Sequence, residues 1–171
     1  MNKPCPKRAR LILFYDYPLC MIMEIEKEIK QPKFKNPYQK AAINLIYTAN
    51  WLEAKQQDFF KRFGITSSQF NILRILRGQQ PNKISGAEIK SRMLDRNSDI
   101  SRLLERLINK NLISKSACHE DKRAADIAIT TDGLEVLRQV DSYIDESEKT
   151  NIHLSKGEAA QLSSLLDKCR G

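Results

Sequence analysis

The sequence predicts a mainly α fold carrying one small β-hairpin, and three observations carry that expectation. Apolar residues recur at helical spacing through most of residues 36–109 and again through 131–166, and the period drops to two only between Leu112 and Thr130. The 171 residues include just six Gly and six Pro, too few for a fold built from turns. At 41% apolar, the chain is long enough to bury a core without covalent staples.

Asn36 is placed to cap a helix that Pro37 begins, where proline's missing N–H costs nothing. Ala42, Leu45, Ile46, Ala49, Leu52, Phe59 and Phe63 follow near a 3.6 period until Gly64. So long a helix exceeds the need of one small core, and part of it is expected to pack on another element or another subunit. Thr66 and Gln69 form a capping box for the next helix, whose stripe is Phe70, Leu73 and Leu76 and which Gly78 ends. A loop with Pro81 leads to Ser85 and Glu88, which repeat the box for a short helix over 86–93. After a turn through 94–97, Ile100, Leu103, Leu104, Leu107 and Ile108 fall at i, i+3, i+4, i+7 and i+8, the cleanest amphipathic helix in the chain.

Residues 112–116 and 125–130 read as strands, with Ile127 and Ile129 alternating against Asp126 and Ala128, joined by the polar loop 118–123. Thr130 caps a further helix with the stripe Leu134, Leu137, Val140 and Ile144, and Asp132, Glu135 and Asp141 add negative charge near its start. Ser155 with Glu158 caps a last helix carrying Leu162, Leu165 and Leu166.

Two short capped helices joined by a tight turn make a helix-turn-helix, and a charged hairpin too small to stand alone leans on it as a wing. On the second of these helices Ser98, Ser101, Arg102, Glu105, Arg106 and Asn109 lie away from the apolar stripe. Two readings of that face are open: a solvated surface, or a groove reader in which Arg pairs with guanine and Asn with adenine. Net charge is +3 over 1–33, +5 over 34–77, +3 over 78–130 and −3 over 131–171, so a basic body precedes an acidic end. That balance favours a polyanionic partner for the first part and another task, such as subunit pairing, for the second. Arg102 and Arg106, four apart, repel each other unless an anion relieves them. A winged helix serving protein contacts alone would not need them.

No GxGxxG, GKS/T or GxSxG occurs, so an enzyme is not expected. Cys5, Cys20, Cys118 and Cys169 show no CxxC spacing and read as reduced thiols of a cytoplasmic protein. His119 follows Cys118, where neighbouring strand side chains diverge, and neither a metal nor a cofactor is expected. Residues 1–33 stand apart as an extension. Lys7, Arg8 and Arg10 precede an apolar run, but Asp16 and Pro18 interrupt it and it is too short to span a bilayer, so no membrane role is expected. Met21 and Met23 leave two origins open, an upstream read-through or a basic arm touching DNA or a partner subunit.

The whole order, long helix, helix, helix-turn-helix, wing, then two helices, resembles the MarR family of bacterial transcription regulators over roughly residues 36–169. The resemblance is most specific in SRLLERLINKNLI at 101–113, DKR at 121–123 and ITTDG at 129–133. It implies a regulator over 34–171, with a winged-helix DNA-binding lobe at 65–130 between dimerisation helices at 36–64 and 131–169. It further implies a homodimeric, ligand-responsive repressor, two recognition helices entering successive major grooves of a palindromic operator and each wing tip a flanking minor groove. Carried over by position, Ser98, Ser101, Arg102 and Arg106 would meet bases or phosphates and Arg123 the minor groove. Ser85, Asn97 and Lys122 complete the expected DNA-facing set, and Asp121 would brace the wing through a salt bridge. The family usually has Gly where this chain has Asn111, a residue that tolerates the left-handed backbone needed there. Family members often bind small aromatic ligands, for which Tyr47, Trp51, Phe63 and Phe70 are the candidate cleft, although their helical spacing equally suits a core. Others sense oxidants through a thiol, for which Cys20 is the candidate by location, with Cys118 left open.

Overall fold

The computed structural model describes residues 23–95, 97–117 and 125–171, the side chains of 145–151 excepted. Its contacts form two compact units, Met1–Ile46 and Tyr47–Gly171. In the first, a short helix α1 (Ile25–Glu28) precedes α2 (Pro37–Lys61), which begins there and continues into the second. Asn36 caps α2 as its sequence position predicts, its Oδ1 accepting the Gln39 N–H at 2.9 Å. Within this unit Lys40 Nζ donates to Glu26 Oε1 at 2.5 Å, which holds the Glu26 carboxyl below its usual range.

The second unit contains the rest of α2, then α3 (Ser67–Arg77), β1 (Ile84–Ser85), α4 (Gly86–Arg92), α5 (Ile100–Asn109), β2 (Ile113–Ala117), β3 (Ala125–Ile129), α6 (Thr131–Ile152) and α7 (Lys156–Arg170). Helix α3 is central and touches α4, α5, α6 and β3. Ile72 and Leu73 of α3, Ile89 of α4, Leu107 of α5 and Leu137 and Val140 of α6 are wholly buried in one cluster. Leu73, Leu107, Leu137 and Val140 come from the stripes read from the sequence, now facing one another, and Ile72 and Ile89 join them. The Thr66–Gln69 and Ser155–Glu158 capping boxes are both complete.

The structure amends the sequence reading in three places. The hairpin is part of a three-stranded antiparallel sheet in the order β1–β3–β2, with Ile84 opposite Ile127 and Ser85 opposite Asp126. A two-residue strand has no period to recognise, so the sequence reads the stretch from Gly78 to Ile84 as a loop. The expected box at Ser85 is only half formed: Ser85 Oγ accepts the Glu88 N–H, but the Glu88 carboxylate turns to Arg92 at 2.5 Å. The Ser85 backbone already lies in the sheet, so the carboxylate is drawn to the cation one turn on. Asp141, read as a charge near the start of its helix, lies well beyond the first turn and instead accepts from Arg77 Nη1 at 2.5 Å, tying α6 to α3.

The corner between α5 and α6 is closed tightly. Asn111 has φ +58°, the left-handed conformation expected of it, with its N–H on the Ile108 carbonyl and the Leu112 N–H on that of Leu107. This is a Schellman closure of α5, completed by Leu107 and Leu112, both buried. Thr130 caps α6 by accepting the Gly133 N–H at 3.1 Å and also donates to the Asn111 carbonyl at 2.7 Å. A Cβ added to Gly133 would stand 2.2 Å from the Leu112 carbonyl oxygen, so only hydrogen fits there.

Burial is uneven along the helices. In α2 only Phe59 and Phe60 are buried, and Ile46 is 62% exposed. Helix α7 buries nothing, and its Leu165 is 57% exposed.

Candidate nucleic-acid interface

The second helix of the helix-turn-helix is α5, and its two faces divide cleanly. Leu107 is wholly buried and Leu103, Leu104 and Ile108 pack on the core, which fixes the rotation of the helix about its axis. Ser101, Arg102, Glu105, Arg106 and Asn109 are consequently exposed together. Among the described residues neither Arg102 nor Arg106 has an acidic partner, whereas Arg77, Arg92 and Arg138 each do. A surface that leaves two guanidiniums one turn apart without a counter-ion is suited to an external anion.

The N-terminal end of α5 was less legible. Its cap is Asp99, whose Oδ1 accepts the Arg102 N–H at 3.1 Å. The preference for Asp just ahead of the first apolar position was the available signal. Ser98, read as part of the helix face, lies before that cap in the turn. Its Oγ donates to Asp95 Oδ2 at 2.6 Å, and Asp95 Oδ1 accepts the Asn97 N–H at 2.9 Å. These two bonds, the hydroxyl's first, hold the Asp95 carboxyl below its usual range. Across the same turn the Leu94 N–H donates to Asn71 Oδ1 at 3.1 Å, which pins it to α3. Asn97 is exposed and Ser98 half-buried.

Ser85 is half-buried, with its hydroxyl committed to the α4 cap. On the wing, Lys83 Nζ donates to Ser116 Oγ at 3.1 Å, a link from the loop before β1 to β2 that the sequence did not suggest. Lys122, Arg123 and the bracing Asp121 lie outside the described residues, as do Cys5, Cys20, Cys118 and His119. Cys169 is exposed on α7.

The four candidate cleft aromatics are not brought together. An open hollow of about 1000 Å³ is lined by Phe60, Phe70, Asn71, Arg74, Met93, Leu94 and Ile144 among others, and of the four only Phe70 reaches it. Phe70 stacks on Phe60 at 4.4 Å between ring centroids, and the Arg74 guanidinium lies 5.8 Å from its ring. Phe63 packs toward Phe59 and Tyr143, and Trp51 faces Lys55. The helical period places Phe63 one turn beyond Phe59, on the core side rather than in the hollow. No group of three or more His, Cys, Asp or Glu side chains is placed to hold a metal among the described residues, and none of their helices is long and apolar enough to cross a membrane.

Comparison with known proteins adds to this geometry. Residues 65–125 match a profile described as MarR family. The HTH-type transcriptional regulator PapX of Escherichia coli is 24% identical over 115 residues, which cover 64% of this chain and 70% of PapX. A MarR transcription factor from Planctomyces limnophilus is 26% identical with a TM-score of 0.62, covering 79% of this chain and 98% of that one. The MepR protein of S. aureus, solved as a DNA complex, is also 26% identical with a TM-score of 0.65, covering 80% of this chain and 97% of its own.

Proposed function

Starting from a chain that belongs to the MarR family of transcription regulators through its domain at residues 65–125, we propose that it binds double-stranded DNA as a homodimer on a palindromic operator and represses transcription until a small ligand releases it. The observation that carries the DNA reading is the pair Arg102 and Arg106, exposed side by side on a helix whose rotation Leu107 fixes and without a carboxylate partner among the described residues. In this reading α5 enters the major groove, Asn97, Ser98, Ser101 and Arg102 address its N-terminal end, and Arg106 takes a phosphate or a guanine. Ser85 sits at the start of α4, beside the backbone of the duplex. Lys122 and Arg123 extend the contact to the flanking minor groove, with Asp121 bracing the wing.

The dimer is supported by the uncovered apolar residues of α2 and α7, Ile46 and Leu165 among them, which one copy leaves in water. Ligand response is supported by the hollow above Phe60 and Phe70, where Arg74 favours a flat ligand bearing an anionic group. Its floor includes Asn71 and Leu94, the residues that hold the turn ahead of α5.

The test is selection of bound fragments from the source genome, followed by titration of the selected duplex at several salt concentrations. Arg102→Ala is expected to lose about 1 to 3 kcal/mol and relax preference at one position in each half-site. Arg123→Ala is expected to weaken binding to many sequences and flatten A·T preference outside the half-sites. Unchanged affinity in both variants would overturn DNA binding in favour of a winged helix that contacts protein.

A further inference from the structure

The turn ahead of α5 contains a hydrogen bond whose direction is forced. Asp95 Oδ2 lies 2.6 Å from Ser98 Oγ, and an ionised carboxylate has no hydrogen to give. The Ser98 hydroxyl must therefore be the donor. A serine has one such hydrogen, so what it still offers is lone pairs alone. The turn is not free to rearrange around this bond, because Asp95 Oδ1 holds the Asn97 N–H and Asn71 holds the Leu94 N–H. Asp99, four residues on, also accepts, from the Arg102 N–H. Ser98, Asp95 and Asp99 thus set side-chain acceptors at the N-terminal end of α5, beside the Arg102 guanidinium of its first turn, with Arg106 one turn further along.

Acceptors select by chemistry. Phosphate oxygens only accept, so neither the Ser98 hydroxyl nor the two carboxylates can take the DNA backbone there. In the major groove guanine shows N7 and O6 and thymine O4, again acceptors, and the hydrogen-bond donors on offer are the amino groups of adenine N6 and cytosine N4. Resting on the reading of α5 as a recognition helix, we propose that Ser98, set by Asp95, is a specificity determinant that requires an amino-bearing base, adenine or cytosine, at the operator position it faces. Asp95 acts here as a positioning residue, through the hydroxyl that it orients.

The experiment is enrichment from a randomised DNA duplex library by the full chain and by two variants. The wild type is expected to require A or C at one position of each half-site, and Ser98→Ala to flatten the preference at that position. Asp95→Asn supplies an amide that can donate to Ser98, releases the hydroxyl hydrogen, and is expected to admit G or T at the same place. A duplex in which the selected base is replaced by the same ring lacking its exocyclic amino group should bind the wild type about three- to tenfold more weakly, the scale of one hydrogen bond, and Ser98→Ala no more weakly than the parent duplex does. If Ser98→Ala alters no position, or alters one where the wild type takes G or T, the acceptor assignment is overturned while DNA recognition stands. Failure of the wild type to enrich any sequence would instead overturn the DNA reading, and this inference with it.

Discussion

Helices α5 and α7 are built from the same ingredient and end in opposite conditions. Each carries leucines at helical spacing with polar residues between them, yet Leu107 of α5 is 0% exposed and Leu165 of α7 is 57% exposed. The difference lies in what the chain places opposite. Helix α5 meets α3, α4 and β2, whereas nothing on α7 is buried. An amphipathic pattern therefore states that a face needs covering and leaves open what covers it. For the lobe the cover is the chain itself. For α7 and the exposed part of α2 we propose that it is a second copy.

The largest effect expected from this contrast is on the lobe. Leu107→Ala should cost about 2 to 5 kcal/mol of unfolding free energy, because the close-packed cluster around it cannot collapse fully into the space. Thermal unfolding will check it, and the loss should be the same at every protein concentration. On the other helix, Leu165→Asp should leave circular dichroism unchanged at high dilution but raise the dimer dissociation constant at least tenfold, about 1.4 kcal/mol, in sedimentation equilibrium. A wild-type protein that sediments at its monomer mass of 19.7 kDa at micromolar concentration would break the comparison outright.

Smaller effects sharpen it. Thr130→Ala removes both the α6 cap and the bond to the Asn111 carbonyl, and should cost about 1 to 2 kcal/mol in denaturant titrations. Acid should act through Glu135, whose carboxyl the Arg138 guanidinium, with help from Gln139, draws down to about 2. A carboxylate with a lowered pKa contributes fully above the ordinary carboxylate range, and its contribution is lost as the pH falls toward 2. Across that window the wild type should lose slightly more stability than Glu135→Gln. Equal acid limbs for the two proteins would remove this pair from the account.

The parts of the fold legible in the sequence were those written in repeated or punctuated signals. The stripes of α3, α5 and α6 declared themselves by period, Thr66 and Ser155 by the residue three positions on, and Thr130 by its place just ahead of an apolar stripe. Asn111 was readable through the resemblance, since it stands where the family usually has Gly and asparagine tolerates the left-handed backbone. What escaped had no repeat to show it. Strand β1 exists because Ile84 and Ser85 happen to lie beside Ile127 and Asp126. The Arg77–Asp141 and Lys83–Ser116 links join residues 64 and 33 positions apart. At the interface, exposure of Arg102 and Arg106 followed from the stripe, but the state of the Ser98 hydroxyl depended on a turn geometry that a helical period cannot describe. Of the candidate cleft aromatics only Phe70 lines the hollow, for a related reason: aromatic spacing shows a shared face and cannot say whether core or hollow lies beyond it.

The contact at Gly133 has a mechanical consequence. With the α6 backbone pressed against the Leu112 carbonyl, and Thr130 bonded to Asn111, the first turn of α6 cannot slide over the base of the wing. That junction transmits force as a weld rather than as a hinge. A displacement of α6, whether by a partner helix or by something filling the hollow beside Ile144, would carry the root of the wing and the end of α5 with it.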